Sequence, residues 1–260
     1  MTPAEIGASA RLDGKVAMIT GAGAGMGRAH AVLFAERGAR VAIHDINRAA
    51  ADETAALVAK AGAKPIAVIG DLAKPEQIIA NVAEVEKTLG RLDILVNNAA
   101  IHEFRKLHEM DETSFDRMMA INVTGLFFAC QAVVPGMKAR GGGRIINIAS
   151  TAGMVGQDGA SHYAASKAAV IGLSRALAKE LAPDKILVNC VSPGPIMTDM
   201  VIRARGIEGA KKRAETEIPL RRYGEPVEVA YLVGFLASSE SDFITGQSMA
   251  INGGTTIVGI

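Results

Sequence analysis

Seven short, almost continuously apolar runs punctuate the chain, at 16–20, 40–44, 66–69, 94–97, 144–148, 186–191 and 247–251. Unbroken apolar character, rather than strict alternation, is how strands covered on both faces of a parallel sheet read. The intervening segments carry helix signals. Asn47 is placed to cap a helix over 49–61 that stops at Gly62. Pro75 suits a first helical position, and Ile78, Val82, Val85 and Leu89 then form one apolar stripe ended by Gly90. Strands alternating with helices in this way predict an α/β chain, a doubly wound parallel sheet with helices on both faces and right-handed crossovers. With 260 residues and no repeat or linker, the chain is expected to be one domain, 1–260. Residues 193–222 interrupt the pattern. They are charged, carry no strand signal and follow the sixth strand, which places them as a substrate-loop insertion near the carboxyl end of the sheet. With Gly206 and Gly209 inside it, this insertion is a candidate lid.

The sharpest local signal follows the first strand. Thr20-Gly21-Ala22-Gly23-Ala24-Gly25-Met26-Gly27 opens a helix, and glycines there let the backbone approach a pyrophosphate while the helix N-terminus presents free N–H groups. Asp45, 24 residues beyond Gly21, ends the second strand. A carboxylate at that place accepts hydrogen bonds from the adenosine ribose and repels a 2′-phosphate. Neither Ala24 nor Ile46 supplies the cation a 2′-phosphate needs, so the expected cofactor is NAD.

Tyr163 and Lys167 lie four residues apart, on one side of a helix. An ammonium near a phenol favours tyrosinate, which brings a general acid–base toward its working range. Ser150 closes the fifth strand 13 residues earlier, where its hydroxyl is available to a substrate oxygen.

Composition narrows the classes further. There are 28 basic and 27 acidic side chains, a net charge of +1, with no basic run to suggest nucleic acid or an anionic membrane. Cys130 and Cys190, distant and without neighbours at ligand spacing, read as buried thiols of a reducing compartment. The first fifteen residues have no apolar core, so no signal peptide is expected and the location is cytoplasmic. Residues 118–137 carry no charge over a membrane-spanning length, but Asn122, Gln131 and Pro135 mark them as a buried or interface helix. His102 and His108 match no zinc spacing, and no metal is expected.

Taken in order, TGAGAGMG at 20–27, Asp71-Leu72, NNAA at 97–100, Asn122, Ser150, YAASK at 163–167, SPGPIMT at 192–198 and ITGQSMAINGG near the end resemble the short-chain dehydrogenase/reductase family from residue 12 to 254. The resemblance implies a Rossmann-type sheet of seven strands in the order 3-2-1-4-5-6-7. It implies Tyr163 as proton donor or acceptor, Ser150 polarising the substrate oxygen, Lys167 on the nicotinamide ribose, and Asn122 supporting a water in a proton relay. The cofactor would be held by Gly21, Gly25, Met26, Gly27, Asp45, Asp71, Leu72, Asn98, Tyr163, Lys167, Pro193, Gly194, Ile196 and Thr198. Helices around 113–138 and 163–181 would form a four-helix contact in a homotetramer.

Two positions depart from the family pattern. Ala100 stands where a glycine is usual in NNAG, and Arg221 stands where the glycine of PLGR would be, as a solvated side chain. The substrate is expected among Ser150, His102, Gln157 and Tyr163, with Glu103 and His162 nearby and Met154, Met197 and Met200 as apolar walls. The leading expectation is an oxidoreductase passing a hydride between NAD(H) and a secondary alcohol or ketone. An NADPH-dependent 3-oxoacyl-carrier-protein reductase is the first alternative, disfavoured by Asp45. A non-catalytic dinucleotide sensor is the second, disfavoured because Asn122, Ser150, Tyr163 and Lys167 are all present.

Overall fold

In the computed structural model, which describes residues 9–257, all seven strands belong to one sheet. In chain order the elements are β1 (Val16–Thr20), α1 (Gly25–Glu36), β2 (Arg40–Asp45), α2 (Arg48–Lys60), β3 (Ile66–Ile69), α3 (Pro75–Leu89) and β4 (Ile94–Asn97). They continue with α4 (Glu112–Met119), α5 (Leu126–Ala139), β5 (Gly143–Ile148), α6 (Ala152–Val155), α7 (Ser161–Leu181), β6 (Ile186–Pro193), α8 (Asp199–Glu217), α9 (Pro226–Ala237) and β7 (Ser248–Ile251). Every pairing is parallel and the order is β3-β2-β1-β4-β5-β6-β7, as the sequence implied. Strand order reverses beside β1, which opens a crevice between the carboxyl ends of β1 and β4.

Two apolar layers sandwich the sheet. On one face Met18, Leu95, Ile145 and Val188 pack with α3, α5 and α7 through Ile78, Val82, Val133 and Val170. On the other, Ile19, Ile43, Val96 and Ile148 meet Ala31, Phe34, Val229 and Val233 from α1 and α9. The stripe of α3 is buried at Ile78, Val82 and Val85. Asn47 caps α2 by accepting from the Ala50 N–H. Helix α3 ends in left-handed Gly90.

Residues Glu112–Ala139 run as a 28-residue helical stretch, long and apolar enough to cross a bilayer. Its inward side, Met118, Leu126, Ala129, Cys130, Val133 and Met137, is packed in the core, while Phe115 and Phe127 are exposed. Between α4 and α5 the chain widens into a π turn over Ala120–Gly125 with Asn122 and Gly125 buried at its centre. Such turns are frequent at functional sites. Residues 193–222 are more ordered than the irregular loop expected: α8 occupies most of them, broken at Gly206 (φ 65°, ψ 169°). Arg221 adopts φ 53°, the left-handed region where the family pattern has glycine, and its side chain is exposed as expected.

Candidate active site

At the carboxyl ends of the central strands lies a cavity of about 930 Å³. Its floor is the turn after β1. A Cβ on Gly27 would stand 2.2 Å from the Gly21 carbonyl oxygen, one on Gly21 would lie 2.8 Å from Ala99 Cα, and one on Gly23 would lie 2.7 Å from an Asp45 carboxylate oxygen. These are distances no side chain tolerates, so the three glycines are required by space. Gly25, at φ 53°, instead faces open volume, with Thr198 Cγ2 3.7 Å from where its Cβ would be. Gly21, Gly25, Met26 and Thr198 line the cavity. Gly27 does not, and serves by letting α1 close against Gly21 and Asn98.

Thr20 ties β1 to β4: its hydroxyl accepts from the Asn98 and Ala99 N–H groups at 3.0 and 3.1 Å. Asn98 donates in return to the Thr20 and Gly21 oxygens. Its Oδ1 is buried without a partner. Asp45 is set by two main-chain donors, Gly23 at 2.8 Å and Asn47 at 2.9 Å, one to each oxygen. Each oxygen retains lone-pair capacity toward the cavity it lines. Arg28, which also reaches the Gly23 turn, is engaged by the Gly23 oxygen, the Thr54 hydroxyl and Glu53. Asp71 and Leu72 line the same end, with Asp71 accepting from the Ala73 N–H.

Across the cavity stand Ser150, Tyr163 and Lys167, with Pro193, Gly194 and Ile196 beside them. Lys167 is almost fully buried, and burial pulls its ammonium down to about 8. Its Nζ donates to the Ile148 oxygen at 2.8 Å and lies 5.8 Å from the centre of the Tyr163 ring. Burial pushes the Tyr163 phenol above its ordinary value, and the hydrogen bond with Ser150 opposes that. The sequence reading had Lys167 lowering this phenol. Here the cation is turned to a carbonyl, and desolvation is the larger influence on Tyr163.

Asn122 is buried and is not part of the cavity wall. Its amide accepts from the Ile101 N–H at 2.9 Å, donates to the Ile101 oxygen at 3.0 Å, and lies 3.1 Å from Ser166 Oγ. It thereby fixes the start of the loop that carries His102.

Of the residues expected around the substrate, His102 and Gln157 line the cavity. Glu103 and His162 do not. The His162 ring is buried with Nε2 3.9 Å from a Glu103 oxygen, and Glu103 is occupied by Ser114 and Arg105. Two of the expected methionine walls are overturned. Met154 packs against the core of the α5–α7 layer and Met197 against the cluster of Ala210 and Ala214. The side chain of Met200 lies outside the described residues. Phe104, Arg117, Ile121, Val155, Arg213, Glu217, Tyr223, Thr255 and Thr256 also line the cavity. They come from separate segments, and no local pattern announces them.

This lining suits a nicotinamide dinucleotide: a glycine cradle for the pyrophosphate, a carboxylate for the ribose, and a buried lysine and tyrosine beyond. The chain belongs to the short-chain dehydrogenase/reductase family of oxidoreductases. Residues 21–256 match the family profile described as enoyl-(acyl carrier protein) reductase. The chain is 42% identical over 250 residues to the 3-oxoacyl-[acyl-carrier-protein] reductase FabG of Thermotoga maritima, covering 95% of this chain and 100% of that one. Among solved structures it is similar to L-sorbose reductase of Gluconobacter frateurii in complex with NADPH and L-sorbose (TM-score 0.92, 32% identity, 95% and 98% of the two chains). It is also similar to carveol dehydrogenase of Mycobacterium avium in complex with NAD (TM-score 0.90, 33% identity, 94% and 98%).

Proposed function

We propose that the protein is an NAD-dependent dehydrogenase that interconverts a secondary alcohol and a ketone. The observation that carries this reading is Asp45, whose carboxylate is fixed by two backbone N–H groups at the ribose end of the cavity. A 2′-phosphate there would meet a negative charge, with Arg28 already engaged by Gly23, Thr54 and Glu53.

The bound nicotinamide supplies or takes up the hydride, and the chain supplies orientation and a proton. Tyr163 removes the hydroxyl proton as the alcohol is oxidised and returns it as the ketone is reduced. Ser150 holds and polarises the same oxygen. Lys167 keeps its charge at neutral pH despite burial, because about 8 still lies above 7. With the ammonium hydrogens that Ile148 leaves free it would hold the nicotinamide ribose. Asn98, Pro193, Gly194, Ile196 and Thr198 hold the remainder of the dinucleotide. Asn122 positions the loop that begins at Ile101 and, as the sequence resemblance implies, supports a water in a proton relay to Lys167. His102 and Gln157 read the substrate.

We further read residues 1–260 as one catalytic unit with 193–222 as its substrate-covering segment. It is a homotetramer joined through the exposed sides of α4–α5 and α7. A reducing, cytoplasmic setting fits the free, buried Cys130 and Cys190. Similarity to FabG supports a second reading, an NADPH-dependent reductase of carrier-bound 3-oxoacyl groups.

One experiment separates the two: kcat/KM for NADH and NADPH with a panel of simple ketones and a 3-oxoacyl thioester. Preference for NADH with turnover of simple ketones supports the proposal. Preference for NADPH with the thioester alone replaces it by the second reading.

A further inference from the structure

His102, which lines the cavity, is restrained on several sides. The main-chain N–H and C=O of the residue before it are both held by Asn122. Its ring stands edge-on to Tyr163, with centroids 4.4 Å apart at 75°, and edge-on to Phe104 at 4.6 Å and 77°. Its Nε2 lies 3.3 Å from Gln157 Oε1. The segment bearing Gln157 is joined to the same loop by the Arg105 N–H donating to the Gly159 oxygen at 2.7 Å. A half-buried imidazole held on so many sides has one orientation relative to the phenol.

That orientation fixes its hydrogen-bonding sense. Burial lowers the His102 pKa, so the ring is neutral near pH 7 and has one donor nitrogen and one acceptor nitrogen. With the Gln157 amide oriented as here, its carbonyl oxygen toward the ring, the matching tautomer carries the proton on Nε2. Nδ1 keeps an accessible lone pair: no hydrogen bond among the described residues uses it, and it is not among the buried unpartnered atoms. An oxygen held by Tyr163 and Ser150 at ~2.7 Å puts the reacting carbon beside the phenol, and the next carbon is only ~1.5 Å further on. With the His102 and Tyr163 ring centroids 4.4 Å apart, a group on that next carbon is within reach of the imidazole.

Resting on the dehydrogenase reading above, we propose that His102, backed by Gln157, is a specificity-determining residue that accepts a hydrogen bond from a hydroxyl on the carbon adjacent to the reacting one. The substrates are then 1,2-diols and α-hydroxyketones. Phe104, edge-on to His102, adds an apolar surface to this part of the lining. An acceptor-only group in place of the hydroxyl would set lone pair against lone pair, a mismatch that a site built for a hydroxyl penalises strongly.

The test compares three ketones of nearly equal shape with NADH: 3-hydroxybutan-2-one, 3-methylbutan-2-one and 3-methoxybutan-2-one. The wild type is expected to favour the hydroxyketone over both others by at least about thirtyfold in kcat/KM, of the order expected when a buried polar group is left without its partner. In His102→Phe, which retains the ring contacts, that ratio is expected to fall to within about threefold of unity. Gln157→Met, which frees the tautomer, is expected to give an intermediate ratio. Because a ratio is read, a general loss of active enzyme cancels. Equal ratios in wild type and His102→Phe overturn the inference, as does a methoxyketone used as well as the hydroxyketone. Turnover of all three ketones without preference defeats this inference alone. No turnover of any ketone with NADH defeats the dehydrogenase reading, and this one with it.

Discussion

Lys167 Nζ donates to the main-chain oxygen of Ile148 at 2.8 Å, from a position with almost no exposure to water. A charge so placed is held at a cost. Burial brings its folded pKa down to about 8 from an ordinary 10.5, which corresponds to a cost of roughly 3 kcal/mol before the hydrogen bond is counted.

Lys167→Met is therefore expected to be inactive yet more stable, by about 2 kcal/mol near neutral pH after the lost hydrogen bond is allowed for. The sign follows from proton binding. Between pH 8 and 10.5 the unfolded chain holds the lysine proton that the folded one has released, so wild-type stability rises with pH across that window. The advantage of the variant is full below pH 8 and fades towards 10.5. Urea unfolding at pH 7.0 and 9.5 checks it, and a less stable variant at pH 7.0 contradicts it.

Tyr163→Phe removes the proton donor and leaves the ring contact with His102 in place. Its kcat is expected to fall by a factor of about 10² to 10⁴, the range for a general acid–base. NADH affinity, followed by fluorescence titration, should change less than about threefold, because the phenol hydroxyl is one small part of the dinucleotide site. Retention of normal turnover would remove Tyr163 from the mechanism.

His30, fully buried on α1, has both ring nitrogens unpartnered, and burial drives its pKa down to about 3. It stays neutral in the folded chain while the unfolded chain protonates below pH 6.5. Stability is thus lost as the pH falls from 6.5 toward 3. His30→Leu should abolish this contribution, flattening the loss between pH 6.5 and 5 by about 1.5 kcal/mol. An unchanged slope in that window would show that His30 finds a partner in solution.

Arg221 sits at φ 53° with its side chain in solvent. A left-handed residue with a Cβ costs about 1 to 2 kcal/mol, partly offset because glycine has more freedom to lose on folding. Arg221→Gly is expected to raise stability by about 0.5 to 1 kcal/mol without altering turnover. A drop in stability would mean that the guanidinium holds a contact worth more than the strain.

The strands were legible because their burial is written locally. Val16–Thr20, Ile66–Ile69 and Ile94–Asn97 run where unbroken apolar character starts and stops. β6 runs past the apolar stretch to Pro193, since Ser192 and Pro193 pair with Ala250 and Ile251, about sixty residues away in sequence. The π turn around Asn122 was invisible for a related reason: apolar spacing through 118–126 fits an ordinary helix, and the extra residue shows only in the fold. Asp45 and Tyr163 stand out because strand ends and helix spacing place them. Phe104, Tyr223 and Thr255 do not, since they meet only after β4, α8 and β7 are assembled around one crevice. Met154 and Met197 misled because flexible side chains fill interior gaps as readily as they face ligands.

The turn between β1 and α1 has a consequence for how the chain can vary. Gly21, Gly23 and Gly27 already have backbone, or a carboxylate, where their first side-chain carbon would go. One methyl group at any of them displaces a strand end, Asp45 or the first turn of α1. Three positions at the edge of an open cavity are thus as closed to a side chain as the centre of the sheet.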